Sequence, residues 1–75
     1  MKIKYLSQIP SGKEVIIKDV LGCQGFKHRL YGLGIFPGEK VLVFKNDRGP
    51  IILKVGNTKL ALGRGQAQKI LVEEL

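Results

Sequence analysis

The sequence has no tryptophan, one cysteine, one histidine and one methionine among its 75 residues. Its single thiol, Cys23, excludes an internal disulfide framework and is typical of a reducing compartment. No run approaches the roughly 20 apolar residues that a membrane-spanning helix needs. No apolar run of signal-peptide length follows Lys2 and Lys4 either. We therefore expect a cytoplasmic protein with no direct membrane insertion.

Residue types that build metal and catalytic centres are also scarce. Cys23 and His28 are the only soft metal ligands, whereas a structural transition-metal site needs about four ligands and a catalytic site about three. The sequence offers no Ser-His-Asp set and no obvious carboxylate pair for acid–base chemistry. Gly32-Leu33-Gly34 lacks the lysine that a phosphate-binding loop requires. We predict no enzyme activity, no cofactor and no metal site.

Negative charge is the third scarcity. Six Asp and Glu stand against thirteen Lys and Arg, so the net charge is +7. This balance suits a nucleic-acid phosphate, an anionic membrane or an acidic protein partner, and it equally serves solubility alone. The basic residues are dispersed along the chain, which argues against a dedicated polybasic arm.

The most informative stretch that is present runs from residue 25 to residue 38. Phe26, Leu30 and Leu33 have the i, i+4, i+7 spacing of one helical face, which predicts a short helix over residues 25–33 with these three side chains turned inward. Gly34 stands where a helix C-cap needs positive φ, and Pro37-Gly38 favours a turn. We expect Gly34 or Gly38 to adopt positive φ.

The remaining sequence alternates β-branched residues with turn signals, which predicts five short strands. They cover residues 13–21, 39–45, 51–55, 58–62 and 69–73. Val15 and Ile17 should share one face of the first strand and Val20 the other, while Phe26 and Phe44 should be buried. Residues 5–12 should be an irregular lead-in that packs Leu6 and Ile9 on the core, and residues 63–68 a single helical or 3₁₀ turn. The pattern predicts a small, mostly β, SH3-like five-stranded barrel in one closed sheet, with a short α-helix inserted after the first strand.

The chain resembles the FeoA family, small cytosolic proteins of bacterial ferrous iron transport. The specific part is Arg29-Leu30, Leu33-Gly34-Ile35 and Pro37-Gly38. Weaker support comes from residues 6–12, from Leu60-Ala61-Leu62, and from Ala67 and Ile70. The resemblance covers nearly the whole chain, and implies one FeoA-like SH3-like domain over residues 1–75. It departs from the family at Gly63-Arg64-Gly65, where two glycines predict a loose turn.

The resemblance implies an accessory role beside FeoB, the membrane transporter with a cytosolic G-protein domain. A barrel this small uses most of its apolar residues for its own core, so we expect the inserted helix to meet the cytosolic part of the transporter. Four residues of that helix are predicted to bind the partner: Lys27, His28 and Tyr31, which should point outward, and Arg29 at the margin. Tyrosine and arginine often anchor interfaces, although ordinary solvated residues would look the same in the sequence.

An alternative is a small basic β-barrel module that binds nucleic acid. Lys27, Arg29, Tyr31 and Phe36 form an aromatic and basic set of the kind that stacks on single strands. The chain has only five aromatic residues and lacks an RNA-binding signature motif. We therefore expect a protein partner and no nucleic acid.

Overall fold

The computed structural model describes residues 2–75, which form one six-stranded antiparallel sheet and three short helical segments. In chain order the elements are β1 (Ile3–Tyr5), a 3₁₀ turn (Leu6–Gln8), β2 (Glu14–Val20), α1 (Gln24–Gly32), β3 (Lys40–Lys45), β4 (Ile51–Val55), β5 (Thr58–Leu62), α2 (Arg64–Ala67) and β6 (Ile70–Glu74). The strands lie in the order β1-β6-β2-β3-β4-β5. A mostly β architecture is confirmed.

The predicted strand count and the closed sheet were wrong. The additional strand, β1, pairs with β6 from Ile3↔Glu73 to Tyr5↔Leu71, so α1 follows the second strand and not the first. The sheet is open, because its first and last strands, β1 and β5, do not pair with each other. Three residues are too few for alternation to be recognised, and β1 owes its conformation to the neighbouring strand.

One face of the sheet and the segments packed on it enclose the core. Its buried side chains are Leu6, Ile9, Val15, Ile17, Val20, Leu30, Ile35, Val41, Val43, Ile51, Leu53, Leu62, Ala67, Ile70 and Val72. Every one of them is apolar, so burial stabilises the fold without a desolvated charge.

A bulge in β2 corrects the predicted face of Val20. The register with β6 shifts between Ile17 and Asp19, so that Val20 lies opposite Ile70. The extra residue moves Val20 to the core side, where Val15 and Ile17 also lie. All three side chains have no exposed surface.

Phe44 is exposed, contrary to expectation. It lies at a second bulge, where the register of β3 with β4 shifts between Val43 and Lys45. Val43 takes the buried position, and 47% of Phe44 remains accessible. An open sheet covers only one of its faces, so the apolar residues on the other face of β3 reach solvent.

Asn46 ties the lead-in segment to the sheet. Its Nδ2 donates to the carbonyl oxygens of Ser7 (3.1 Å) and Ile9 (2.6 Å). Its backbone N–H donates to Ser11 Oγ at 2.7 Å. As predicted, the lead-in buries Leu6 and Ile9.

The segment after β5 forms the predicted single turn, α2. Gln66 Oε1 accepts the Gly63 N–H at 3.1 Å, as Gln8 Oε1 accepts the Tyr5 N–H at 3.0 Å in the 3₁₀ turn. A glutamine three residues after the cap thus satisfies a free amide in both turns. The buried side chain of Ala67 anchors α2 to the core.

Candidate partner-binding surface on helix α1

Helix α1 begins at Gln24, directly after Cys23, whose backbone is extended with φ −79° and ψ 166°. Its first turn contains no acidic residue, so the positive end of the helix dipole has no negative side chain near it. Phe26, in this turn, is half-buried against the core. The predicted range of residues 25–33 is confirmed to within one residue at each end.

The helix ends in a Schellman motif that explains why Leu33 is not buried. The Gly34 N–H donates to the Tyr31 carbonyl at 3.0 Å, and the Ile35 N–H donates to the Leu30 carbonyl at 2.9 Å. Gly34 makes this reversal at φ +93°, and the chain then places Ile35 beside Leu30 in the core. Leu33 was expected inward, but 45% of it is exposed.

The four predicted partner-binding residues do not share one environment. His28 and Arg29 are exposed, and Tyr31 is 37% exposed. Lys27 was expected to point outward but is half-buried. His28 and Arg29 are therefore accessible to a partner, Tyr31 is accessible over about a third of its surface, and Lys27 lies at the margin.

Two further residues belong to this surface and were not among the predicted partner-binding residues, although Phe36 was part of the aromatic and basic set of the nucleic-acid alternative. Leu33 and Phe36 follow Tyr31 closely and are 45% and 39% exposed. Together these three place large apolar groups around the exit of the helix. The sequence does carry a signal for the exposure of Leu33. The glycine at position 34 ends the helix, so Leu33, just before it, no longer follows the helical period that placed it in the core. We call Lys27, His28, Arg29, Tyr31, Leu33 and Phe36 the α1 surface.

The cationic groups near α1 have no acidic partner among residues 2–75. The four ion pairs found there join Lys4 to Glu74, Lys18 to Glu73, Lys40 to Glu14 and Lys45 to Asp47. Arg29 instead lies 6.0 Å from the Phe26 ring centroid, and Lys69 lies 5.4 Å from the same centroid. The region therefore carries positive charge that is available to an acidic surface.

Cys23 lies exposed at the start of the helix. The backbone N–H of Phe26 is the main group that lowers the pKa of the Cys23 thiol below its ordinary value, with smaller help from the N–H of Gly25 and the charge of Lys69. Among the residues that the structure describes, no three His, Cys, Asp or Glu side chains are grouped closely enough to hold a metal ion.

An open groove of about 350 Å³ lies on the sheet, along β3 and its neighbours β2 and β4. Glu14, Glu39, Lys40 and Lys54 are the charged residues that line it. Within residues 2–75, no helix is long and apolar enough to cross a membrane.

The fold and surface together define a class, a small SH3-like β domain with one inserted helix whose exposed side carries basic and apolar side chains. The sequence profile of the FeoA domain matches residues 4–74. The chain therefore belongs to the FeoA domain family.

Particular relatives agree with this assignment. A protein of Methanocaldococcus jannaschii, provisionally named Fe(2+) transport protein A, is 44% identical over 64 residues, which are 84% of this chain and 77% of that protein. A crystal structure of an iron uptake regulatory protein, FeoA, is 31% identical with a TM-score of 0.92, covering 99% of this chain and all of that one. IdeR of T. acidophilum is 13% identical with a TM-score of 0.88 over 35% of its own length, and shares the fold.

Proposed function

We propose that this chain is a non-catalytic accessory protein of ferrous iron transport that binds the cytosolic part of a FeoB-type transporter through the α1 surface. Membership of the FeoA family, with a 44% identical relative named for Fe(2+) transport, supports the process. The choice of this surface rests on the exposure of Tyr31, Leu33 and Phe36 beside cations that have no acidic partner in the described part of the chain.

The chemistry of the α1 surface suits a protein interface. Tyrosine, phenylalanine and arginine are enriched in such interfaces because they offer large contact areas and directed hydrogen bonds. The basic side chains would speed encounter with an acidic partner, and this effect weakens as salt screens the charges. Binding here would act on the assembly or on the nucleotide cycle of the transporter.

Nucleic-acid binding has less support. The module would need free aromatic faces on which bases stack, and the exposed rings of Tyr31 and Phe36 could serve as such faces. Membership of the FeoA family and the 44% identical relative named for Fe(2+) transport favour iron transport instead.

The proposal is tested by co-purifying this protein with the transporter from the same cells. We expect a triple variant, Lys27→Glu, Arg29→Glu and Tyr31→Ala, to lose co-purification and to lower iron uptake in a strain that lacks the chromosomal copy. The matched control is Lys13→Glu with Arg48→Glu, which makes the same charge change at exposed positions outside α1. Equal recovery of the transporter with the triple variant and the parent would overturn the proposal, provided that circular dichroism shows both folded.

A further inference from the structure

Strand β5 is paired on one side only. It lies at the end of the sheet order, and its residues pair with β4 from Ile51↔Leu62 to Val55↔Thr58. Gly56 and Asn57 form a two-residue turn with φ +60° at Gly56 and no positive φ at Asn57, which is the type II′ pattern. The residues flanking such a turn exchange both backbone hydrogen bonds, and bonded and non-bonded pairs then alternate along the hairpin.

This alternation fixes which backbone groups face outward. Val55 and Thr58 are a bonded pair, so Lys59 is in a non-bonded pair with Lys54, and Ala61 is in another with Ile52. The N–H and C=O groups of Lys59 and Ala61 therefore point away from β4. Outside the sheet ladder, no hydrogen bond among residues 2–75 reaches either residue. The edge presents two donors and two acceptors, arranged as a strand requires.

The side chains at this edge are basic on the outer face of the sheet. Lys59 lies directly opposite Lys54, both are exposed, and neither takes part in the ion pairs found in residues 2–75. Like charges opposite each other destabilise a sheet. The contact of Lys59 with the Phe44 ring, at 3.9 Å, offsets only one of the two charges. An added carboxylate beside them would relieve this repulsion.

The core face of the same edge is apolar. Leu60 lies between Lys59 and Ala61, is directed to the core side, and is half-buried because no strand lies beyond it. A strand added to β5 would cover the rest of Leu60 with its own core-facing side chains. A strand that pairs with β5 should therefore alternate acidic side chains on the outer face of the sheet with apolar side chains on the core face.

We propose that β5 binds an extended acidic segment of another protein, which adds to the sheet as a seventh strand and alternates acidic with apolar residues. Main-chain hydrogen bonds to Lys59 and Ala61 hold it, and its carboxylates meet Lys54 and Lys59. A second copy of this chain fits less well, because pairing β5 with itself brings two Lys59 side chains together between molecules of net charge +7 each. A phosphate backbone would meet the lysines but would leave the backbone donors and acceptors unpaired. This site shares no residue with the α1 surface.

The experiment titrates ¹⁵N-labelled protein with a capped heptapeptide of alternating glutamate and valine. We expect amide shifts and slower hydrogen exchange at Lys59 and Ala61. Ala61→Pro removes the outward N–H and leaves the pairing with β4 intact, so it should weaken binding about fivefold or more, the usual effect of one hydrogen bond. Ala61→Ser keeps the N–H and is the matched control. Equal affinity of these two variants, or shifts confined to other strands, would overturn the proposal.

A charge-reversal arm decides the case even if Ala61→Pro does not fold. Lys54→Glu with Lys59→Glu changes exposed side chains only, and should bind a lysine–valine peptide of the same length in preference to the glutamate–valine one. The parent protein should show the opposite preference, which salt should reduce. Equal binding of both peptides by the parent contradicts an acidic partner. A peptide-free dimer that Ala61→Pro dissociates would show that a second copy occupies the edge.

Discussion

Helix α1 and the sheet are attached to the core in different ways. The four inner strands each bury two or three side chains, as β2 does with Val15, Ile17 and Val20. Helix α1 has nine residues and buries one, Leu30. Phe26 adds a half-buried ring, and Ile35 extends the attachment just beyond the helix. The sheet therefore supplies most of the stability, while the helix is held at few points and leaves most of its surface for contact.

The largest loss of stability should come from changing Leu30, the one residue of α1 that is fully buried. Leu30→Ala creates a cavity in a fully buried position, so we expect it to cost about 2–5 kcal/mol of unfolding free energy. Tyr31→Ala, one residue away and 37% exposed, removes a ring that is only partly buried, so it should cost less, about 1 kcal/mol. Urea unfolding measures both variants. Similar losses for the two would mean that α1 has no single anchor.

The exit of the helix allows a finer comparison between two glycines of equal φ. Gly34 and Gly38 have φ +93° and +94°, so alanine at either should cost about 1–2 kcal/mol of backbone strain. A Cβ at Gly34 would also lie 2.9 Å from Val55 Cγ1, whereas one at Gly38 would meet nothing within 4 Å. Overpacking adds about 1–3 kcal/mol. Gly34→Ala should therefore unfold at a lower urea concentration than Gly38→Ala. The reverse order would contradict the close approach of Gly34 to Val55.

On the sheet side, Asn46 should matter more than its position in a turn suggests. Asn46→Ala leaves the carbonyls of Ser7 and Ile9 without their donor, and we expect a loss of about 1–3 kcal/mol. Asp47→Ala is the control, because that side chain is exposed and its ion pair with Lys45 is long, at 4.0 Å. Thermal unfolding of the two variants should separate them. Equal melting temperatures would show that water replaces the Asn46 amide.

The smallest effect concerns the pH dependence of stability where β1 pairs with β6. Lys4 Nζ lies 2.9 Å from Glu74 Oε1, and this hydrogen bond is the main cause that lowers the pKa of Glu74 below its ordinary value. Unfolding restores the ordinary pKa, so the stabilisation is present above that value and is lost as pH falls through the lowered one. Lys4→Met should make melting less sensitive to acid in this window. An unchanged acid dependence would exclude the pair as a contributor.

The fold was largely predictable where local patterns are strong, and less so where distant residues decide. Leu30, Gly34 and Pro37-Gly38 carry local chemistry, and the helix lies within one residue of its predicted bounds. The conformation of β1, the bulge that turns Val20 inward and the exposure of Phe44 depend on neighbouring strands. Of the α1 surface, the charged residues and Tyr31 were predicted, while Leu33 was misassigned because the helical period was extended past Gly32, the last residue of the helix, to its cap.

Binding of the transporter through the α1 surface can be observed residue by residue in an NMR titration. The ¹⁵N-labelled protein would be titrated with the isolated cytosolic G-protein domain of the FeoB-type transporter. We predict shifts concentrated between residues 25 and 38, abolished in the Lys27→Glu, Arg29→Glu, Tyr31→Ala variant and retained in the Lys13→Glu, Arg48→Glu control. Binding that shifts the strands and leaves residues 25–38 unchanged, or no binding at all, would show that the α1 surface does not contact the transporter.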